Sequence, residues 1–393
     1  MRDVIFMAWR YLRFYRGKTA VLVASISLIL FLPAGLHVLV EQGAEVLTAR
    51  AETTPLLIGA KGSAVDLTLS ALYFRPPHVE SMRHREVTRV DRSGLAHGIP
   101  MHLRFTAGRQ RIVGTTIDYA EFRGLTVDRG RWLAMLGECM LGSEAAQALG
   151  VDLDDHVLSS AGSAFDVAGS FPLKMPVVGV LAPTGTSDDE IVLVDIKTAW
   201  VIAGLAHGHE DVNSAGKDDG RVLQREGRNV VANASVLSYT EITVENMDSF
   251  HFHGNPDGFP IDAVLAVPAS FKASVLLRGR YEEGDVPVQM IVPSVVVNEL
   301  LETMFSVRDW VVLGGLAVGV ASAMTAALVF ALSIRVRRRE IETIQMIGGA
   351  RKRLVTILGA EITFVIVMAV VIAGVLTAVV SRFGELAARL VGA

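Results

Sequence analysis

The sequence predicts an α-helical membrane protein with three spans and a large mixed α/β extracytoplasmic domain inserted between spans 1 and 2. Three observations lead there. Hydrophobic residues make up 51 % of the 393 residues and the mean hydropathy is +0.42, yet 41 acidic and 37 basic residues remain, so charge must be segregated from the apolar runs. Runs at 19–40, 310–334 and 354–380 reach the roughly 20 residues that cross about 30 Å of hydrocarbon. Between the first two lie short alternating segments punctuated by glycine, the pattern of strands and short helices.

Residues 1–18 mix Arg2, Arg10, Arg13, Arg16 and Lys18 with Trp9, Tyr11, Phe14 and Tyr15, which reads as a cytoplasmic interfacial helix with an aromatic belt. The run at 19–40 is too long for a signal peptide and no small-residue cleavage site follows it, so it is expected to remain as span 1. Pro33 should kink that span, and His37 sits at its outer boundary. Residues 41–305 are then outside.

Within that domain, 53–74 reads as a strand, a glycine turn and an apolar helix or strand. Residues 109–117 alternate as a strand, while 120–125 and 128–133 look turn-rich. A strand leads into a short helix over 138–151, and 174–182 and 190–200 read as further strands. The polar, glycine-rich stretch 207–229 is expected as a loop, and 230–245 and 259–269 as strands of a second lobe, followed by a helix from about Val292 into span 2 at 310–334. Gly314, Gly315, Gly319, Ala321 and Ala323 give span 2 a small-residue face, which suits either a dimer seam or packing within the chain.

Residues 335–353 form the cytoplasmic coupling loop. Arg335, Arg337, Arg338, Arg339, Arg351, Lys352 and Arg353 are seven cations between two apolar runs, which the positive-inside rule places in the cytoplasm. Ile341, Ile344, Met346 and Ile347 recur at roughly helical spacing, and Gly348-Gly349 ends that helix. An amphipathic helix held between two spans can receive a push. Span 3, at 354–380, contains Glu361, an intramembrane ionisable residue and so a functional candidate, although a helix-pairing role near the interface competes. The tail 381–393 has Leu386, Leu390 and Val391 on one face and is expected along the outer interface.

Several function classes lose support. The net charge of −4 and the clustering of arginines at span ends argue against nucleic-acid binding. A P-loop needs a glycine turn followed by Gly-Lys-Ser/Thr; 57–64 and 214–219 contain Gly and Lys without that spacing or hydroxyl, so ATP and its magnesium would have to be held by another polypeptide. A Gly-x-Ser-x-Gly elbow is missing, and no Ser, His and Asp set has an order that assigns catalytic roles, so the chain is not expected to be an enzyme. Asp188, Asp189 and Glu190 follow Gly185 and read as a solvated turn. Cys139, the single cysteine, forms no intrachain disulfide and reads as a buried thiol.

The histidines are ambiguous. His207 and His209, and His251 and His253, are two His-x-His pairs; on an extended strand each pair points its rings to one face, an arrangement a zinc ion accepts. Ordinary loop and turn hydrogen bonding is the preferred expectation, because short His tracts are compositional signals.

Two segments resemble a known family. The string from RGRWL through ECMLGSEAAQALGVDLDDHVLSS to VVGVLAPTGTSDDEIVLVDIKTAW resembles the periplasmic core domain of MacB-type ABC transporter permeases. RRREIETIQMIGGARKRLVTILGAEI, with Arg338, Arg339, Glu340, Ile341, Ile344, Ile347, Gly348 and Arg351, resembles the cytoplasmic signature of FtsX-like permease domains. The resemblance implies a mechanotransmitting permease, akin to LolC/E-like and DevC-like relatives. Such a subunit lies in the cell inner membrane, pairs with a separate cytoplasmic ABC ATPase and a second copy of itself, and can meet a periplasmic adaptor. That family usually has four spans, and three are expected here. Alternatives are a non-transporting regulator of an envelope enzyme and a membrane-anchored metal or ligand sensor.

Overall fold

The computed structural model describes residues 2–160, 172–208, 222–226, 229–232, 240–283, 287–336 and 351–392. The chain divides into a helical unit, Met1–Val46 with Glu299–Val391, and an α/β unit whose body is Leu47–Asn298.

The α/β unit is built on two main sheets, one inserted into the other. The outer sheet runs in the order Val288–Ile291, Leu56–Ala60, Ala263–Pro268, Ala96–Met101, with every neighbour antiparallel. Counted along the chain that order is 4-1-3-2, the split β-α-β arrangement of ferredoxin-like domains. Helices Ala64–Tyr73 and Arg85–Arg92 link its first two strands, and Phe271–Glu283 links its last two. Leu56, Leu57 and Ile58 are all fully buried, so this strand is apolar on both faces instead of alternating. Gly59 is required there: a Cβ would stand 2.4 Å from the Leu67 side chain of the overlying helix. Residues 263–268, expected in a second lobe, therefore pair with the earliest strand of the domain.

The second sheet lies in sequence between strands Ala96–Met101 and Ala263–Pro268. Its order is Thr106–Ala107, Gln110–Thr115, Ile191–Asp195, Cys139–Leu141, Lys174–Leu181, Val127–Gly130, with His156–Leu158 also paired to Lys174–Leu181. Two of its pairings are parallel, Gln110–Thr115 with Ile191–Asp195 and Cys139–Leu141 with Lys174–Leu181. Ile112, Cys139, Leu141, Met175, Val177, Val192 and Val194 form its core. The expected strand-to-helix step at 138–151 appears as Cys139–Leu141 followed by Ser143–Leu149.

Four local readings change, the first at 128–133, expected as turn-rich, where Val127–Gly130 is a strand paired with Lys174–Leu181. Residues 120–125 belong mostly to helix Ile117–Arg123, which Gly124 closes at φ +66°. The stretch 190–200 is strand only to Asp195, whose carboxylate accepts from the Lys197 N–H at 2.9 Å and starts helix Ile196–Ile202. Of the loop expected at 207–229, Val222–Glu226 pairs with Asn229–Ala232, and 209–221 lies outside the described residues.

The helical unit comprises Arg2–Phe14, most of Arg16–Glu52, most of Pro293–Val336, and Arg351–Gly392. Among the described residues, Arg16–Glu52 and Val355–Phe383 are long and apolar enough to cross a membrane, and a shorter apolar stretch, Val312–Thr325, lies in helix Pro293–Val336. Leu12, Val23, Val365 and Ala369 form an interior cluster, and the Ser27 hydroxyl donates to the Ala369 carbonyl at 3.2 Å. Most other apolar side chains face outward, Leu28, Leu316 and Val371 among them, a surface suited to hydrocarbon. On the small-residue face a Cβ at Gly319 would meet Ile29 at 3.2 Å, so this glycine packs within the chain, while Gly314 and Gly315 face open space.

Candidate functional site

Of the residues expected to couple to a partner, Arg338, Arg339, Glu340, Ile341, Ile344, Ile347 and Gly348 lie outside the described residues, and Arg351 opens helix Arg351–Gly392. Glu361 sits on that helix and is buried within the helical unit, at 3 % exposure. Among the described residues, two other places in the α/β unit bring together side chains that bear on function.

The first place is the C-terminal turn of helix Arg16–Glu52, which belongs to the α/β unit. Arg50 is buried there and donates to both oxygens of Asp188, at 2.6 and 3.0 Å, and to the Tyr119 hydroxyl at 2.9 Å. Tyr119 in turn donates to Asp188 at 2.6 Å, closing a triangle of three buried polar groups. Thr186 adds a donor to Asp188 at 3.1 Å, and the Arg50 guanidinium lies over the Phe74 ring. Beside them Arg123 donates to Thr54 at 3.0 Å, and Tyr73 donates to the Leu47 carbonyl.

Burial alone would push the Asp188 carboxyl up, but the Arg50 guanidinium, with the hydrogen bonds from Arg50 and Tyr119, holds it below the usual carboxylate range. Burial pushes the Tyr119 phenol well up and the Tyr73 phenol to about 12, so both remain donors. Asp189 is buried as well and accepts from the Thr184 and Gly185 N–H groups at 2.8 and 2.7 Å. The acidic turn is therefore structural, not solvated. Sequence reasoning missed the network; its one trace was an arginine placed well past the end of an apolar run, where no membrane surface explains it.

The second place brings together His207, His251 and His253, whose ligating atoms all lie within 4.8 Å of one another; His209 lies outside the described residues. Strand Ala206–His207 pairs antiparallel with His251–Phe252, setting His207 directly opposite His251. The His253 N–H donates to the Leu205 carbonyl at 2.9 Å, extending that ladder. Phe252 turns the other way, toward Trp200 and Phe259 in the core, so His251 and His253 share the outer face. Gly208 permits the close approach, since a Cβ there would stand 2.7 Å from the Phe250 ring.

The sequence's third candidate for chemistry, Cys139, is fully buried, and burial pushes its thiol up to about 12, which keeps it inert at neutral pH.

The nested two-sheet α/β domain lies in sequence between long apolar helices, and its buried ion pair holds the last turn of the first of them. Residues 20–234 match the MacB-like periplasmic core domain, more than half of the chain, and the chain belongs to that family. Membership points to the permeases of ABC transporters. Among solved structures, the periplasmic region of MacB from Actinobacillus actinomycetemcomitans is 12 % identical, over 63 % of this chain and 92 % of that one, with a TM-score of 0.33. The extracellular domain of the noncanonic ABC-type transporter YknZ from Gram-positive bacteria is 11 % identical, over 60 % and 98 %, with a TM-score of 0.31. No curated protein matches the chain.

Proposed function

We propose that this chain is the permease subunit of an ABC transporter complex: a three-span, dimeric protein of the inner membrane that passes movement driven by a separate ATPase to its periplasmic α/β domain, for export or handling of envelope substrates. Membership of the MacB-like core-domain family is the observation that carries this reading. The outward-facing apolar side chains of the long helices support a membrane setting, and the seven-cation segment at 335–353 supports a cytoplasmic loop there.

The proposed mechanism begins at the apolar face of Ile341, Ile344 and Ile347, which docks on the ATPase between the charged ends of its loop. Displacement of the spans then passes along helix Arg16–Glu52, in whose last turn Arg50 is bonded to Asp188 on the short helix Ser187–Glu190 and to Tyr119 on helix Ile117–Arg123. A bidentate guanidinium–carboxylate pair fixes orientation as well as distance, so this turn is held within the α/β unit.

The test is co-expression with the candidate ATPase. The wild-type chain should co-purify with it and raise its ATP hydrolysis, while Ile344→Asp should insert normally and abolish both effects, because a carboxylate in an apolar contact stays desolvated and unpaired. Full stimulation by the Ile344→Asp complex would remove the loop from the mechanism, and a wild-type chain that neither binds nor stimulates the ATPase would overturn the permease reading.

A further inference from the structure

We propose that His207, His251 and His253 form a divalent transition-metal site of the zinc type on the surface of the α/β domain, with an open position for water or an exchangeable ligand. The proposal does not rest on the permease reading.

Distance is the first support. The Nε2 atoms of His207 and His253 are 3.3 Å apart. Two nitrogens held at about 2.0–2.1 Å by one tetrahedral ion lie about 3.3–3.4 Å apart, so this pair already has the separation of two zinc ligands. His251 completes a compact triangle, with ring centroids 5.2 Å from His207 and 4.8 Å from His253. Its ligating atom lies within 4.8 Å of the others.

Tautomers give a second, independent support. The Nδ1 of His251 lies 3.1 Å from the Ser249 carbonyl, which only accepts, so Nδ1 is the donor in that contact and Nε2 is the candidate ligand atom. A backbone carbonyl behind a ligating imidazole is the usual way such a ring is oriented and its basicity raised. Three imidazoles with no carboxylate among them select zinc, copper or nickel over calcium and magnesium.

Zn2+ titration calorimetry on the tag-free full-length chain in nanodiscs tests the proposal. One ion per chain should bind with micromolar or tighter affinity, releasing protons, and Co2+ should give the absorption of a four-coordinate site. His253→Asn should weaken binding at least tenfold, whereas His253→Cys, which restores a ligand, should retain it. Hydrogen exchange at Ala206, His207 and Phe252 should slow when Zn2+ is added to the wild type and not to His253→Asn. Absence of tight binding to the wild type, or equal affinity in His253→Asn and in His207→Ala with their metal-free unfolding temperatures unchanged, overturns it. Should His207→Ala unfold, the His253→Asn and His253→Cys pair decides alone, since His253 is exposed and its substitution removes no core contact.

Discussion

Removing the Asp188 carboxylate would take away the counter-charge of the buried Arg50 guanidinium and the acceptor of the buried Tyr119 O–H, leaving Arg50 bonded to the Tyr119 hydroxyl oxygen. Breaking a buried pair from one side costs about 3–5 kcal/mol, because the surviving charge keeps its desolvation penalty. Asp188→Ala should therefore lower the unfolding temperature of the α/β unit by roughly 6–20 °C at the usual scaling for a unit this size, and Arg50→Lys by less, read by scanning calorimetry. The same contact sets a pH dependence. Asp188 has a folded-state pKa held below its unfolded value, so the unfolded chain takes up the proton first. The stabilisation is complete above the ordinary carboxylate pKa of about 3.9 and is lost as pH falls below it toward the folded value. Acid sensitivity that begins near that pH should be smaller in Asp188→Asn, which is uncharged throughout, with Glu138 and other paired carboxylates supplying the remainder. None of this was legible in the sequence, where Ser-Asp-Asp-Glu after a glycine looks like any solvated turn. The partner that buries it stands 138 positions away, and no local pattern encodes a contact of that separation.

Elements were legible where a local signal marks them. The step from Cys139–Leu141 into Ser143–Leu149 follows from an apolar run, a glycine and a helix-forming stretch, and the structure has it. The end of strand Ile191–Asp195 was missed although its signal was present, because Asp195 is an N-cap residue type and the apolar residues on either side masked the change of period. Strand pairing was illegible, as each register depends on a distant segment. Glycine gives a test at this scale. Gly142 opens helix Ser143–Leu149, and a Cβ there would stand 2.3–2.4 Å from the Asp189 and Asp188 carbonyl oxygens, backbone atoms that cannot swing aside. Gly279, inside helix Phe271–Glu283, has nothing within 4 Å. Gly142→Ala should lose about 1–3 kcal/mol through forced backbone shifts, and Gly279→Ala should gain roughly 0.5–1 kcal/mol through helix propensity. Opposite shifts in unfolding temperature are the expected result; a common sign would show that close approach does not govern the Gly142 turn.

For the whole molecule, the proposed three-span topology predicts which side of the membrane each segment occupies. The wild-type chain should stay silent to an impermeant maleimide because Cys139 is buried, which supplies its own background. Lys272→Cys and Ala388→Cys should then label from outside intact cells, and Gln345→Cys only after permeabilisation. A protected Ala388→Cys would replace the odd number of spans with an even one. Composition and charge segregation are what this proposed plan rests on, whereas the nesting of one sheet inside another was invisible in the sequence, since both contribute similar short apolar strands. That nesting has a consequence for biogenesis. Strand Leu56–Ala60 emerges early in synthesis, yet its two neighbours, Ala263–Pro268 and Val288–Ile291, are among the last parts of the domain to be made. The inserted sheet draws its strands from Thr106 to Asp195 and can close sooner. Until the late strands arrive, a fully apolar segment waits with both edges unpaired, exposed to wrong pairing and to proteases, and the interval in which the nascent chain most needs an escort is written into its strand order.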